Sequence, residues 1–413
     1  MNSATEPLPL RETCEPVDPA ALREVVERAA RTRTPVYPIG GATALDYGLT
    51  PKSSGIGLSL TRLNRVMEYP ARDMTITVEA GITMQALAET LAAERQQIPL
   101  DVPDPQRATL GGVIATNWSG PRRAACGTIR DYVIGISAVD GQGMLYHGGG
   151  RVVKNVAGYD FCKLLVGSLG TLGVITQATL KLKPLPERSV GLLCGLRNWA
   201  EAESLLAATV ASQVTPAAVE LLAGPAWTGD PALGALPPDR CAAAMVLLEG
   251  TSMEVDWLVA EQRAEWQRLG FAPPLLLDAD LAAFLRRVNQ FPADRSGPLV
   301  LKFVVRPRHL IRLIAAVAAI DPRGSFEAHA VNGVLIARFA DFPTAEVGRL
   351  LPGTLQPLAR SLGGHCVVLS WSGGELTRQA WWGAVDSAGP WMRAVQERFD
   401  PHQILNPGRF VAG

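Results

Sequence analysis

Residues 36–48 read VYPIGGATALDYG. A short apolar run stops at Gly40-Gly41 and continues through Ala42, Thr43 and Ala44, so the chain presents backbone there rather than side chain. Glycine turns can aim successive N–H groups at one point and form an anion-binding concavity. Two further stretches share the pattern: ATLGGVIATNWSG at 108–120, with Gly111-Gly112 before an apolar run, and GSLGTLGVI at 167–175, with Gly167, Gly170 and Gly173. One Gly-Gly pair by itself is a tight turn. Three such clusters beside apolar runs point to loops converging on one large ligand with a charged centre and flat rings, and a dinucleotide offers both. The Rossmann fingerprint is missing, since GIGLSL at 55–60 lacks the third glycine and opens no helix, and no G-x-x-x-x-G-K-[ST] loop occurs.

Other reactive side chains are scattered. Cys14, Cys126, Cys162, Cys194, Cys241 and Cys366 include no C-x-x-C pair, which excludes an evident zinc or iron–sulfur ligand set and leaves reduced thiols as small hydrophobes. His147, His309, His365 and His402 form no recognisable triad. Lys154, Asn155, Tyr159 and Asp160 in VKNVAGYD could position a carboxylate, but the plainer reading is that they shape one turn. Arg122 and Arg123 are read as solvent-facing, and Trp371, Trp381, Trp382 and Trp391 as core or subunit contacts.

The 413 residues carry 39 basic and 39 acidic side chains, a balance that argues against nucleic-acid binding. Residues 1–20 hold acids and prolines without an apolar stretch, so they do not read as a signal peptide, and no run of apolar residues reaches the roughly 18 needed to span a membrane. A cytoplasmic location is expected.

Positioning the loops requires elements on either side of them. Asp18 as N-cap and Pro19 at the first helical position predict a helix over 18–33, and a strand follows at 36–39. GIGLSL and MTITVEA read as strands, ITMQALAETLAAERQ as a helix capped by Thr83, VIGISAVDGQGMLYH as a hairpin turning at Asp140-Gly141, and GVITQATLKLKP as a half-buried strand. KPLPE at 183–187 marks a boundary. Beyond it, strands and helices alternate through 371 as strand–helix–strand units on an antiparallel sheet, without a defensible internal repeat.

Taken together, PVYPIGGATAL, ATLGGVIATNWSG, CGTIRDYVIGISAVDGQG and RVVKNVAGYDFCKLLVGSLGTLGVITQATLKLKPLP resemble the p-cresol methylhydroxylase-type FAD-binding family, also called the vanillyl-alcohol oxidase fold, and FDPHQILNPGRF resembles the tail of related FAD-linked oxidases. The likeness reaches furthest toward the family of FAD-binding E subunits of bacterial glycolate oxidases. It implies an α+β chain in three parts: a two-subdomain FAD-binding domain at 1–187, a ferredoxin-like α+β cap at 188–390, and a tail at 391–413 docking on the FAD domain. It implies FAD contacts from Ile39, Gly40, Gly41, Ala42, Thr43, Ala44, Pro103, Thr109, Leu110, Gly111, Gly112, Ala115, Thr116, Asn117, Gly120, Gly127, Gly173, Val174 and Ile175. Family members with covalent flavin carry histidine in the first loop; residues 39–47 hold neither histidine nor cysteine, so FAD is expected to be non-covalent.

Hydroxy-acid dehydrogenases of this superfamily carry H-x-G-D-G-N-x-H in the second domain. Here 329–336 reads HAVNGVLI: His329 and Gly333 remain, while Val331, Asn332, Val334 and Ile336 depart from the pattern. One imidazole with no nearby partner is a poor metal site, so His329 is expected to make an ordinary side-chain contact, no metal is expected and no catalytic residue is assigned. Three readings stay open. The chain is the FAD-bearing subunit of a glycolate-oxidising complex, partnered by a homologous flavin subunit and an iron–sulfur subunit and attached to the inner membrane only through them; or it is an assembly or electron-relay subunit; or it is a stand-alone FAD-dependent alcohol or hydroxy-acid oxidase.

Overall fold

The computed structural model describes residues 8–151, 158–236, 239–342, 344–385 and 387–411. The chain divides into two compact units: unit 1 comprises 1–119, 128–185 and 384–413, and unit 2 comprises 120–127 and 186–383.

Unit 1 begins with β1 (Leu10–Cys14), α1 (Pro19–Thr32), β2 (Val36–Ile39) and β3 (Gly55–Ser59). The three strands form a parallel sheet in the order β1-β3-β2. The Asp18 carboxylate accepts the Ala21 N–H at 2.8 Å, and Leu22, Val26 and Ala29 bury the inner face of α1, as the helical spacing requires. The chain then runs through β4 (Val66–Glu68), β5 (Thr75–Glu79), α2 (Met84–Ala92), β6 (Gln96–Gln97), α3 (Leu110–Thr116), α4 (Arg123–Cys126), α5 (Ile129–Tyr132), β7 (Val133–Val139), β8 (Leu145–Gly149), α6 (Phe161–Leu165), β9 (Val174–Lys181) and β10 (Lys183–Pro184). Five of these strands make an antiparallel sheet in the order β4-β5-β9-β7-β8, and β6 pairs with β10. The expected hairpin is present, but its loop spans 140–144, because the Asp140 carboxylate accepts both Gln142 N–H and Met144 N–H at 2.8 Å.

The expected domain edge at 187/188 falls at 185/186. Leu185 still donates its N–H to Arg95 in unit 1, whereas Glu187 donates to Gly250 in unit 2. The tail is longer than the expected 391–413: residues 384–413 belong to unit 1, including α14 (Gly389–Phe399). α4 does not stay with its sequence neighbours, since 120–127 pack with unit 2.

Unit 2 contains β11 (Arg188–Leu196), α7 (Trp199–Ala211), β12 (Ala218–Ala223), β13 (Ala242–Gly250), α8 (Ser252–Arg268), β14 (Leu275–Leu277), α9 (Leu281–Gln290), β15 (Leu299–Val304), α10 (Leu310–Ile320), β16 (Ser325–His329), β17 (Val334–Phe339), α11 (Thr344–Leu350), α12 (Gln356–Ser361), β18 (His365–Trp371) and α13 (Arg378–Trp382). Eight strands form one antiparallel sheet in the order β14-β11-β13-β12-β16-β17-β15-β18. That order exposes an internal duplication the sequence did not reveal. β11–β14 follow a 4-1-3-2 order, as do β15–β18, so two ferredoxin-like halves meet where β12 pairs with β16. One side chain row carries Val219, Leu221, Val246, Ala328, Leu335 and Phe303 into the apolar core, while the alternating row carries Glu249, Glu220, Glu327, His329 and Lys302 on the other face.

In unit 1, Leu405 is wholly buried in a cluster with Leu22, Val26, Val36, Leu58, Val139 and Val174, and it bridges Val36 in parallel. Leu405→Ala is expected to destabilise unit 1 by about 2–5 kcal/mol, read as a lowered urea midpoint in equilibrium unfolding.

Candidate functional site

The turn after β2 is the centre of the site. Among the described residues, the N–H groups of Gly40, Gly41, Ala42, Thr43 and Ala44 donate no hydrogen bond. Ala42 adopts a left-handed conformation, φ 57°, which aims neighbouring N–H groups together. The loop before α3 lies against this turn. A Cβ at Gly40 would overlap Thr109 Oγ1, and one at Gly41 would overlap the Arg107 carbonyl oxygen. These two glycines therefore permit loop-to-loop packing and do not merely open room for a ligand. Thr109 caps α3 by accepting the Gly112 N–H at 3.4 Å, and Asn117 closes the helix in a left-handed conformation.

Two cavities flank the turn. A narrow one of about 60 Å³ is lined by Gly40, Gly111, Gly112, Ala115, Gly170 and Gly173, with Val174 and Ile175 behind them. An open one of about 670 Å³ is lined by Gly40, Gly41, Ala42, Thr61, Asn64, Gly81, Arg107 and Thr109. The larger volume lies within the roughly 300–1,000 Å³ of small-molecule sites. At Gly112 a Cβ would meet only Thr109 Oγ1, at 3.3 Å, so a side chain there would enter the cavity; Gly170 is left-handed at φ 72°, a conformation that itself calls for glycine. The Asn117 Oδ1 acceptor is buried without a partner among the described residues. Unpaired donors in a turn and a Cβ-free wall fit a ligand with an anionic middle.

Residues 12–149 match the FAD binding domain family. This chain carries an FAD-binding domain. It is similar to glycolate oxidase subunit GlcD of Bacillus subtilis, 35% identical over 193 residues covering 47% of this chain and 41% of that protein. It is 35% identical to glycolate oxidase subunit GlcE of Escherichia coli over 173 residues, 42% of this chain and 49% of that protein. It is 36% identical to a mitochondrial D-lactate dehydrogenase [cytochrome] of Arabidopsis thaliana over 200 residues, 48% of this chain and 35% of that protein. The chain thus spans half or less of these relatives' lengths. The fold matches a solved alkyldihydroxyacetonephosphate synthase with TM-score 0.69 at 19% identity, over 96% of this chain and 76% of that one.

Of the residues for which FAD contacts were expected, Gly40, Gly41, Ala42, Thr109, Gly111, Gly112, Ala115, Gly173, Val174 and Ile175 line the two cavities. Ile39 ends β2, Thr43 and Ala44 complete the turn, and Pro103 sits in the loop before Thr109. Leu110 and Thr116 are not among the residues lining the two cavities. Leu110 is wholly buried in the apolar core, and Thr116 spends its hydroxyl on the Gly112 carbonyl at 2.8 Å. Gly120 and Gly127 bound the segment that belongs to unit 2. Pro38, Leu60, Thr61, Asn64, Gly81, Leu169 and Gly170 were missed; for Gly170 the signal was its place in the third glycine cluster.

The polar face of unit 2 forms a second cluster. His329 Nδ1 lies 2.9 Å from both oxygens of Glu220, directly across the β12–β16 pairing, and Glu327 is buried beside them. The ordinary side-chain contact expected of His329 is this one to Glu220; what the sequence did not show is that Glu220, Glu327 and His329 offer ligand atoms within 4.8 Å of one another, and these three could hold a metal. Arg122 is not solvent-facing either; its guanidinium forks onto Glu249, at 2.8 Å from Nη2. Arg123 is half-buried, and burial lowers its pKa while the Glu220 charge opposes the shift. Lys302 has its pKa pushed down to about 8 by burial and by the Arg123 charge. Partial burial and the Lys302 charge likewise lower the pKa of His365. Trp371 and Trp381 are core residues, whereas Trp391 is 76% exposed. Tyr159 is exposed, Asp160 caps α6, and Lys154 and Asn155 lie outside the described residues.

The glycines divide into two kinds, and their variants should separate. Gly112→Leu is expected to keep the urea midpoint while weakening FAD binding at least tenfold, measured by flavin fluorescence titration of apoprotein; Gly41→Ala is expected to lose the midpoint itself, because its Cβ meets backbone.

Proposed function

We propose that this chain is an FAD-dependent oxidoreductase that converts the CH–OH of a 2-hydroxy acid such as glycolate to a 2-oxo acid, as a subunit of a glycolate-oxidising complex. The observation that carries the reading is the pair of cations on the polar face of unit 2, in a chain whose unit 1 holds the FAD site. FAD, when bound, supplies the two-electron acceptor. Lys302 and Arg123 offer positive charge in a half-buried setting, where a substrate carboxylate gains more than it would in open water. The Glu220–His329 pair can hold one proton between Oε and Nδ1. The printed names of the relatives, glycolate oxidase subunits and D-lactate dehydrogenase, support this substrate class.

The flavin is non-covalent in this proposal, since the first loop offers no histidine or cysteine to the ring. In this proposal the polar face works without a divalent metal, with the Glu220 charge balanced in part by Arg123. A homologous flavin subunit and an iron–sulfur subunit take the electrons onward. Among the described residues no helix is long and apolar enough to cross a membrane; a cytoplasmic place, with any membrane contact made by partners, is part of the same proposal. The departures at Val331, Asn332, Val334 and Ile336 favour a second reading, in which this subunit relays electrons while its homologue oxidises the substrate.

Anaerobic glycolate or D-lactate is expected to bleach the flavin of the purified chain; unbleached flavin that a reductant still reduces would select the relay. Acid precipitation is expected to release the flavin into the supernatant, and colour held in the pellet would overturn the non-covalent assignment. Stoichiometric metal in the purified protein, lost in His329→Ala, would overturn the metal-free one. A cation with its pKa lowered to about 8 loses charge as pH rises through 8, so KM for the acid is expected to climb above pH 8. Lys302→Met is expected to raise KM at pH 7 and to flatten that climb.

A further inference from the structure

We propose that the C-terminal strap 400–409 sets the flavin affinity of unit 1, with Arg409 and Asn406 as positioning residues that hold the two walls of the FAD site without touching the cofactor. The inference rests on the assignment of FAD to unit 1.

The strap is anchored before it reaches the site. Phe399 packs its ring on Tyr146 and Phe161, at 5.4 and 6.0 Å between centroids. Asp400 is wholly buried, and its carboxylate accepts the N–H groups of Ile404 at 3.1 Å and Leu405 at 2.7 Å, which folds the strap into a tight turn. Val36 N–H donates to Ile404, at 2.7 Å, and Asn406 N–H donates back to Val36, at 2.8 Å. The strap is thereby stitched to β2 four residues before Gly40.

From that anchor two side chains reach the walls. Asn406, itself left-handed at φ 48°, donates Nδ2 to the Leu169 carbonyl at 2.6 Å. Leu169 is also left-handed, donates its N–H to Ala115, and with Gly170 lines the narrow cavity. Arg409 donates Nη2 to the carbonyls of Leu45 and Tyr47, and its own carbonyl accepts the Leu49 N–H at 3.1 Å. The return half of the 40–49 loop is thus tied to one strap residue by three hydrogen bonds, whereas among the described residues the N–H groups of 40–44 donate none. Arg409 is only 4% exposed, and its Nε has no partner among the described residues. A guanidinium is costly to place there unless its fork is used, and the two loop carbonyls use it. Neither Asn406 nor Arg409 lines either cavity. If the loop is ordered for only a fraction of the time, the apparent Kd rises by the inverse of that fraction.

The test is FAD titration of full-length apoprotein, wild type against Arg409→Ala, Arg409→Lys and Asn406→Ala, with chymotrypsin cleavage after Tyr47 as a readout independent of flavin. Expected are an FAD Kd at least tenfold weaker in Arg409→Ala, partial recovery in Arg409→Lys, and faster cleavage after Tyr47 in both apoproteins at an unchanged urea midpoint. Should Arg409→Ala fail to fold, Asn406→Ala carries the test, with weaker FAD binding expected while Tyr47 stays protected. Wild-type affinity with wild-type cleavage in the folded variants would overturn the strap's role. Wild-type apoprotein that takes up no FAD would overturn the FAD assignment and the strap proposal with it.

Discussion

Residues 40–44 carry five N–H groups that donate to nothing among the described residues, and the contacts around them in unit 1 hold that turn in place. An unpaired backbone donor is tolerable in solvent and costly when sheltered, so such a turn persists only if its surroundings fix it or a ligand satisfies it. Here the fixing is done by contacts that no side chain could survive. The turn and the loop at 107–109 approach so closely that Gly40 and Gly41 have no room for a Cβ. Glycine is therefore used twice over: at 40–41 for backbone against backbone, and at 112 for backbone against the cavity.

The same economy explains the parallel sheet. β1, β3 and β2 would leave β2 as an edge ending at the turn, yet the strap pairs with Val36 and extends the order by one bridge. Ile404 and Leu405 then complete the core beneath it. The element that covers the edge is the one that reaches the loop carbonyls, so sheet closure and loop geometry share one set of contacts.

Much of this was legible in the sequence. Asp18–Pro19 fixes the start of α1 because a cap and a missing N–H act locally, and the three glycine clusters mark the walls of the cavities because φ and steric freedom are local properties. Partners far along the chain were not legible. Glu220 lies 109 residues before His329, and only the β12–β16 register sets them face to face. Arg122 looked like a surface charge because nothing in its own segment announces Glu249, 127 residues on. The duplication in unit 2 was hidden for a related reason: strand order is a property of hydrogen-bond pairing, and alternating apolar residues do not record which strand lies beside which.

The polar face of unit 2 completes the argument about charge. Burying two carboxylates beside one imidazole is unfavourable unless opposite charge is close, because desolvation outweighs an imperfect pair. A divalent ion is one way to balance such a cluster. Arg123 acts on Glu220, and burial first, with the Arg123 charge second, brings the pKa of Lys302 down to about 8. In the proposed function the half-buried cations Arg123 and Lys302 are the groups that would receive a substrate carboxylate on this face.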